Sequence, residues 1–243
     1  MFTRFKTNVA QHNVPKSLVF ADHDGPHELC LLAAGELQEY LSQNQKLNHN
    51  FGLNNQSNST IIGKMFGVLV VEHPGGEIGY LSAFSGKLGG KNAYPEFVPP
   101  VFDLLTEGSF LNLGMQELTR MNDEIQLSQF SDIKLAELKD TRRKYSNALQ
   151  KQIFDHYQLL NQEGLYKGLT EIFNNAGYKN PPAGAAECAG IKLLQYAFLH
   201  HMKPLALGEF WWGKSPKSNT WKHGMFYPCC KEKCEPILKH MLS

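Results

Sequence analysis

The chain has 243 residues, 42% of them hydrophobic and 11% aromatic, which is enough apolar mass for a packed core and too much for a disordered chain. It holds no apolar run of the roughly 20 residues that a membrane-spanning helix needs, and a formal net charge of +1 gives no whole-chain field announcing a nucleic-acid binder. The opening residues carry neither an apolar signal core nor a small-residue cleavage site, so the expected location is the cytoplasm, without a membrane partner.

Residues 26–43 read as an amphipathic helix, with Leu29, Ala33, Leu37 and Tyr40 at three- and four-residue steps and Cys30 beside the stripe. The Asn- and Ser-rich residues 48–60 are expected to be a loop that packs no core. Residues 67–72 and 78–84, separated by the turn residues HPGG, predict a β-hairpin. The GKLGGK that follows lacks the spacing GxxxxGK(S/T), so Lys87 and Lys91 predict no phosphate loop.

From residue 115 to 160 two helices fit, one striped by Leu118, Met121 and Ile125, the other by Tyr145, Leu149, Ile153 and Tyr157. The charges between them suit an exposed helical hairpin. Its basic Arg142, Arg143 and Lys144 are candidates for RNA phosphates, with a solvated helix face as the plainer reading. The breaker PPAG at 181–184 precedes a helix over 187–201 with Ile191, Leu194 and Phe198 inward, an apolar strand over 205–212, and a short helix over 235–242. The organisation expected is residues 1–114 as an N-terminal helix and hairpin portion, 115–180 as a helical connector, and 181–243 as a helix-strand-helix portion, the first and third forming one composite domain.

Five cysteines, an odd number in a chain too long to need a disulfide framework, suggest metal binding or reactivity in a reducing compartment. Cys188 falls at the start of one helix, and Cys229, Cys230 and Cys234 fall just ahead of the last. Zinc takes about four soft or borderline ligands. Cys188, Cys230 and Cys234 are the preferred ligands, with His223 as a nitrogen candidate for the fourth; the plainer alternative makes Cys188 and Cys229 small core residues. A hairpin, a helix opening with a ligand, a strand, then a helix opening with Pro-Cys resembles the zinc-dependent cytidine deaminases, whose signature is (H/C)xE followed by PCxxC. Here Gly190 stands where that signature has its proton-carrying glutamate, Glu187 precedes the cysteine instead, and the second half gives CxxxC or CxxxxC. Glu187 is therefore the catalytic candidate. The fold class expected is α/β, a deaminase-like sheet of β-hairpin plus helix-strand-helix with additional N-terminal and central helices.

The last 41 residues carry seven lysines against three glutamates. Within them Trp211, Trp212, Lys214, Lys217, Trp221 and Lys222 interleave flat rings with cations, a pattern that stacks unpaired bases and holds phosphates. Strand alternation sends only one of Trp211 and Trp212 inward. Four of the 24 basic residues are arginine, so bidentate phosphate recognition is not a strong theme.

The runs GKMFGVLVV (63–71), YLSAFSGKL (80–88), FVPPVFD (97–103), PPAGAAEC (181–188), ALGEFWWG (206–213) and FYPCCKEKCEPIL (226–238) look like the long N-terminal region of a subgroup of bacterial RluA-type RNA pseudouridine synthases. The similarity covers nearly the whole chain. It implies an accessory or substrate-positioning role in converting uridine to pseudouridine, with ribosomal or transfer RNA and a synthase domain or chain as partners. The HRLD segment that carries the synthase aspartate does not occur in these residues, so the isomerase chemistry is expected elsewhere. The alternative is a zinc-dependent nucleobase or nucleotide deaminase.

Overall fold

A computed structural model describes residues 1–21, 25–43, 46–47, 49–53, 62–106, 108–127 and 130–243. In chain order the elements are β1 (Thr3–Arg4), β2 (Val19–Phe20), α1 (Glu28–Gln43), β3 (Lys64–Glu72), β4 (Ile78–Phe84), α2 (Phe110–Leu127), α3 (Asp132–His156), β5 (Gln158–Leu160), β6 (Tyr166–Gly168), α4 (Leu169–Asn175), α5 (Ala189–Leu199), β7 (Lys203–Trp212), β8 (Phe226–Tyr227) and α6 (Glu235–Met241).

The main sheet has the order β1-β4-β3-β7-β2, with β8 also paired to β7. The β3–β4 hairpin is antiparallel and so is β3 against β7, while β2 joins β7 in parallel. Helices cover both faces, which is why these strands read as near-continuous apolar runs rather than alternating ones. Phe66, Val68, Val70, Phe84 and Phe210 pack with Leu29, Ala33, Leu37 and Leu41 of α1. Leu69, Val71, Leu81, Ala83 and Leu207 pack with Ile191, Leu194 and Ala197 of α5 and with Ile237 and Met241 of α6. The result is a mixed α/β arrangement with its central strands, β3 and β7, buried between two helical layers.

Gly67 fixes how closely α5 lies on the sheet. A Cβ there would stand 2.9 Å from Ala189 Cβ and 3.0 Å from Leu193 Cδ1, so a side chain would push the start of that helix away. The α2–α3 pair uses the same device, since a Cβ on Gly114 would meet the Leu149 methyls at 2.7 Å. Ser131 caps α3, accepting from Lys134 N–H.

The expected loop over 48–60 differs from the structure in one respect. Residues 48 and 54–60 lie outside the described residues, but Phe51 is buried against Phe66 with rings 5.8 Å apart, and its carbonyl accepts from Lys214 N–H at 2.7 Å. The tract therefore contributes to the core. Among the described residues no helix is long and apolar enough to cross a membrane.

Candidate metal centre

The segment before α5 is tied to the exit of β4. Gly86 N–H donates to Glu187 O at 3.0 Å, and Ala189 N–H donates to Ser85 Oγ at 3.1 Å. Cys188 is thereby held as the N-cap of α5. Ala186, two residues earlier, takes φ 67°, a left-handed conformation that costs an L residue about 1–2 kcal/mol and that concentrates at sites the surroundings over-determine. On the other side of the site, Cys234 N–H donates to Cys230 O at 3.2 Å, one turn of helix that puts the two side chains on the same face.

These two stretches meet. The Sγ atoms of Cys188, Cys230 and Cys234 all lie within 4.8 Å of one another, and those of Cys230 and Cys234 share a hydrogen bond at 3.4 Å. Tetrahedral zinc with Zn–S of about 2.3 Å separates its sulfurs by about 3.8 Å, so the spacing and the soft donors both suit such an ion. Cys230 is exposed, Cys188 half-buried and Cys234 buried. Hydrogen bonds from the thiols of Cys188 and Cys234 hold Cys230 well below the ordinary thiol range, and the same contacts leave Cys234 raised. Three thiols gathered this closely form a soft donor set for a divalent cation, which binds them as thiolates.

The thiols border an open cavity of about 660 Å³ that is also lined by Glu187, Glu209, Trp221, Tyr227, Lys231 and Lys233. Glu187 has other polar neighbours at the same time: Tyr157, Lys64 and Lys192 all feel the charge of its carboxylate. Lys192 is buried, with Nζ donating to Phe84 O at 2.9 Å and Gly86 O at 3.3 Å; burial pulls its pKa down to about 8. Glu209 belongs to the buried run of β7, and burial pushes its carboxyl up.

The remaining candidates are dispersed. His223 stands apart from the three sulfurs: its Nδ1 accepts from Gly213 N–H at 2.9 Å and its ring lies 4.3 Å from that of Trp212. Both Trp211 and Trp212 are buried, correcting the expectation that alternation exposes one of them. Trp212 enters the α1-side core, and Trp211 is covered by Trp221, stacked on it with ring centroids 4.9 Å apart. Trp221 is 38% exposed and lines the cavity, so it is the free ring of the three. Lys214, Lys217 and Lys222 are exposed but do not line that cavity. Arg142 bonds Asn122 and Arg143 pairs with Asp140, which engages both guanidinium groups on the helical hairpin itself.

Two contributors escape a reading of spacing. Ser85, far away in sequence, supplies the acceptor at the start of α5, and Glu209 supplies a carboxyl from the strand. The second had a visible signal, a lone charge within ALGEFWWG, since acidic residues are almost never fully buried without a partner. No protein-family model, curated protein or solved structure matches this chain.

Proposed function

We propose that the chain is a zinc-dependent module of the deaminase type that works on a nucleobase of RNA, replacing an exocyclic amine by a carbonyl oxygen. One observation carries this reading: three thiols from remote stretches converge at the wall of a cavity and, among the described residues, no fourth ligand joins them. Structural zinc sites close with four protein ligands, whereas catalytic ones keep three and an open position. When bound, zinc lowers the pKa of coordinated water to about 7. The order hairpin, α5 capped by Cys188, β7, and α6 capped by Cys234 supports the finer, deaminase-like reading of the sheet. In the reaction the water oxygen bonds to the amine-bearing ring carbon and the bond from that carbon to the amine nitrogen breaks. One water proton stays on the neighbouring ring nitrogen; the other leaves with the amine as ammonia.

A second reading keeps the metal and makes the chain an RNA-positioning region for a pseudouridine synthase, in line with the resemblance carried by its sequence runs. The exposed Trp221 beside Lys231 and Lys233 at the cavity supports it, because ring and cations together suit an unstacked base and its phosphate. Short single-stranded oligoribonucleotides test both. Ammonia release from cytidine or adenosine, lost together with stoichiometric zinc in Cys188→Ala and Cys234→Ala, is the expected outcome. Salt-sensitive binding without ammonia, weakened about tenfold by Trp221→Ala, selects the second reading. Protein purified without chelators and free of metal contradicts both.

A further inference from the structure

Strand β7 is buried from Leu205 to Trp212, and Glu209 is its only acidic residue, 6% exposed. Its place in the alternation is with Leu207 and Trp211, toward α5 rather than α1. Oε1 accepts from Gly190 N–H at 3.0 Å, and the Cys229 thiol borders the same space. Among the described residues no lysine or arginine acts on it.

Gly190 explains why the carboxyl fits there. A Cβ at that position would stand 3.1 Å from Leu207 Cδ2 and 3.7 Å from both Glu209 Cδ and Cys229 Sγ. The space in front of residue 190, two places after the first thiol, is thus taken by a carboxyl delivered from the neighbouring strand, and that carboxyl reaches the cavity wall shared with Cys188, Cys230 and Cys234. Glu187 contrasts with it. Lys64, Lys192 and Tyr157 stand around the Glu187 carboxylate, whereas the Glu209 carboxyl is buried on the strand with a backbone N–H for its partner; two carboxyls whose surroundings differ in this way take different roles.

We infer that Glu209, not Glu187, is the carboxyl that carries protons at this centre; with zinc held by Cys188, Cys230 and Cys234, Glu209 would take a proton from the attacking water and pass it to the ring nitrogen next to the attacked carbon. The inference rests on the hydrolytic reading above. A purely structural role, capping the second N–H of α5, is the competing explanation, and Glu209→Gln separates the two because its amide oxygen still accepts from Gly190 while it cannot carry a proton.

The probes are pyrimidin-2-one ribonucleoside and purine ribonucleoside, which have no amine to lose. The zinc-loaded protein adds water across the ring carbon–nitrogen double bond, oxygen to carbon and hydrogen to nitrogen, read as a change in the ultraviolet absorbance of the ring. Glu209→Gln is expected to slow hydration at least about 100-fold, with zinc content and melting temperature retained, and Glu187→Gln is expected to slow it less. Hydration by Glu209→Gln at the wild-type rate overturns the inference and leaves the hydrolytic reading standing. Loss of zinc from Glu209→Gln makes the residue a support of the site and also overturns it. Failure of the zinc-loaded wild-type protein to hydrate either probe removes the hydrolytic reading and this inference with it.

Discussion

Cysteines of one chain differ here by their surroundings more than by their chemistry. Cys30 is fully buried on the sheet-facing side of α1, and desolvation pushes its thiol up to about 12, so it behaves as a small apolar side chain. Cys230 is exposed and receives hydrogen bonds from two other thiols, the conditions that favour a nucleophilic thiolate. Iodoacetamide is therefore expected to label Cys230 first in metal-free protein and Cys30 only after unfolding, as mass spectrometry of tryptic peptides will show. Zinc is expected to protect Cys230 and leave Cys30 unchanged. Equal labelling of Cys230 with and without zinc counts against its place as a ligand. The preference for Cys188, Cys230 and Cys234 was legible because a thiol ahead of one helix and two more ahead of another form a pattern. Glu209 showed only as a lone charge within an apolar strand, since its place beside the cysteines depends on a strand alternation and on a missing side chain at Gly190 that only the folded chain brings together.

At the level of elements, the long ones were readable and the short ones were not. The helix over 26–43 appears as Glu28–Gln43, and the hairpin appears as Lys64–Glu72 with Ile78–Phe84, because each has enough residues for its period to register. The two-residue strands Thr3–Arg4, Val19–Phe20 and Phe226–Tyr227 exist only as partners of β4 and β7, so no local pattern marks them. The β5–β6 hairpin and α4 fall in a stretch read as connector, with Leu159, Leu169 and Phe173 buried by tertiary contacts. Gly67 is the element-level hinge of the site, since it sets the distance from sheet to α5 and hence the place of Cys188. Gly67→Val is expected to destabilise the protein by about 1–3 kcal/mol, the range for overpacking a filled interior, measured by urea unfolding, and to weaken zinc binding along with it. Unchanged stability contradicts the close contact of Gly67 with Ala189 and Leu193.

For the molecule as a whole, the organisation that matters is a sheet covered on both faces, with one edge of its α5 face opened into a cavity by the loop after β7. The aromatic residues expected to form an exposed surface instead divide between core and rim: Trp212 is core, Trp211 lies beneath Trp221, and Trp221 faces solvent. Sequence alternation alone could not foresee this, because the cover over Trp211 comes from a residue ten positions later. The claim on which the account depends is that three thiolates hold one ion with a position left open toward the cavity. Cobalt(II) substitution tests it most directly. The account predicts one equivalent of tightly bound cobalt with thiolate-to-cobalt charge transfer and tetrahedral visible bands, lost in Cys188→Ala, and a visible spectrum that shifts when azide is added. No stoichiometric cobalt, or a bound ion whose spectrum azide leaves untouched, would contradict it.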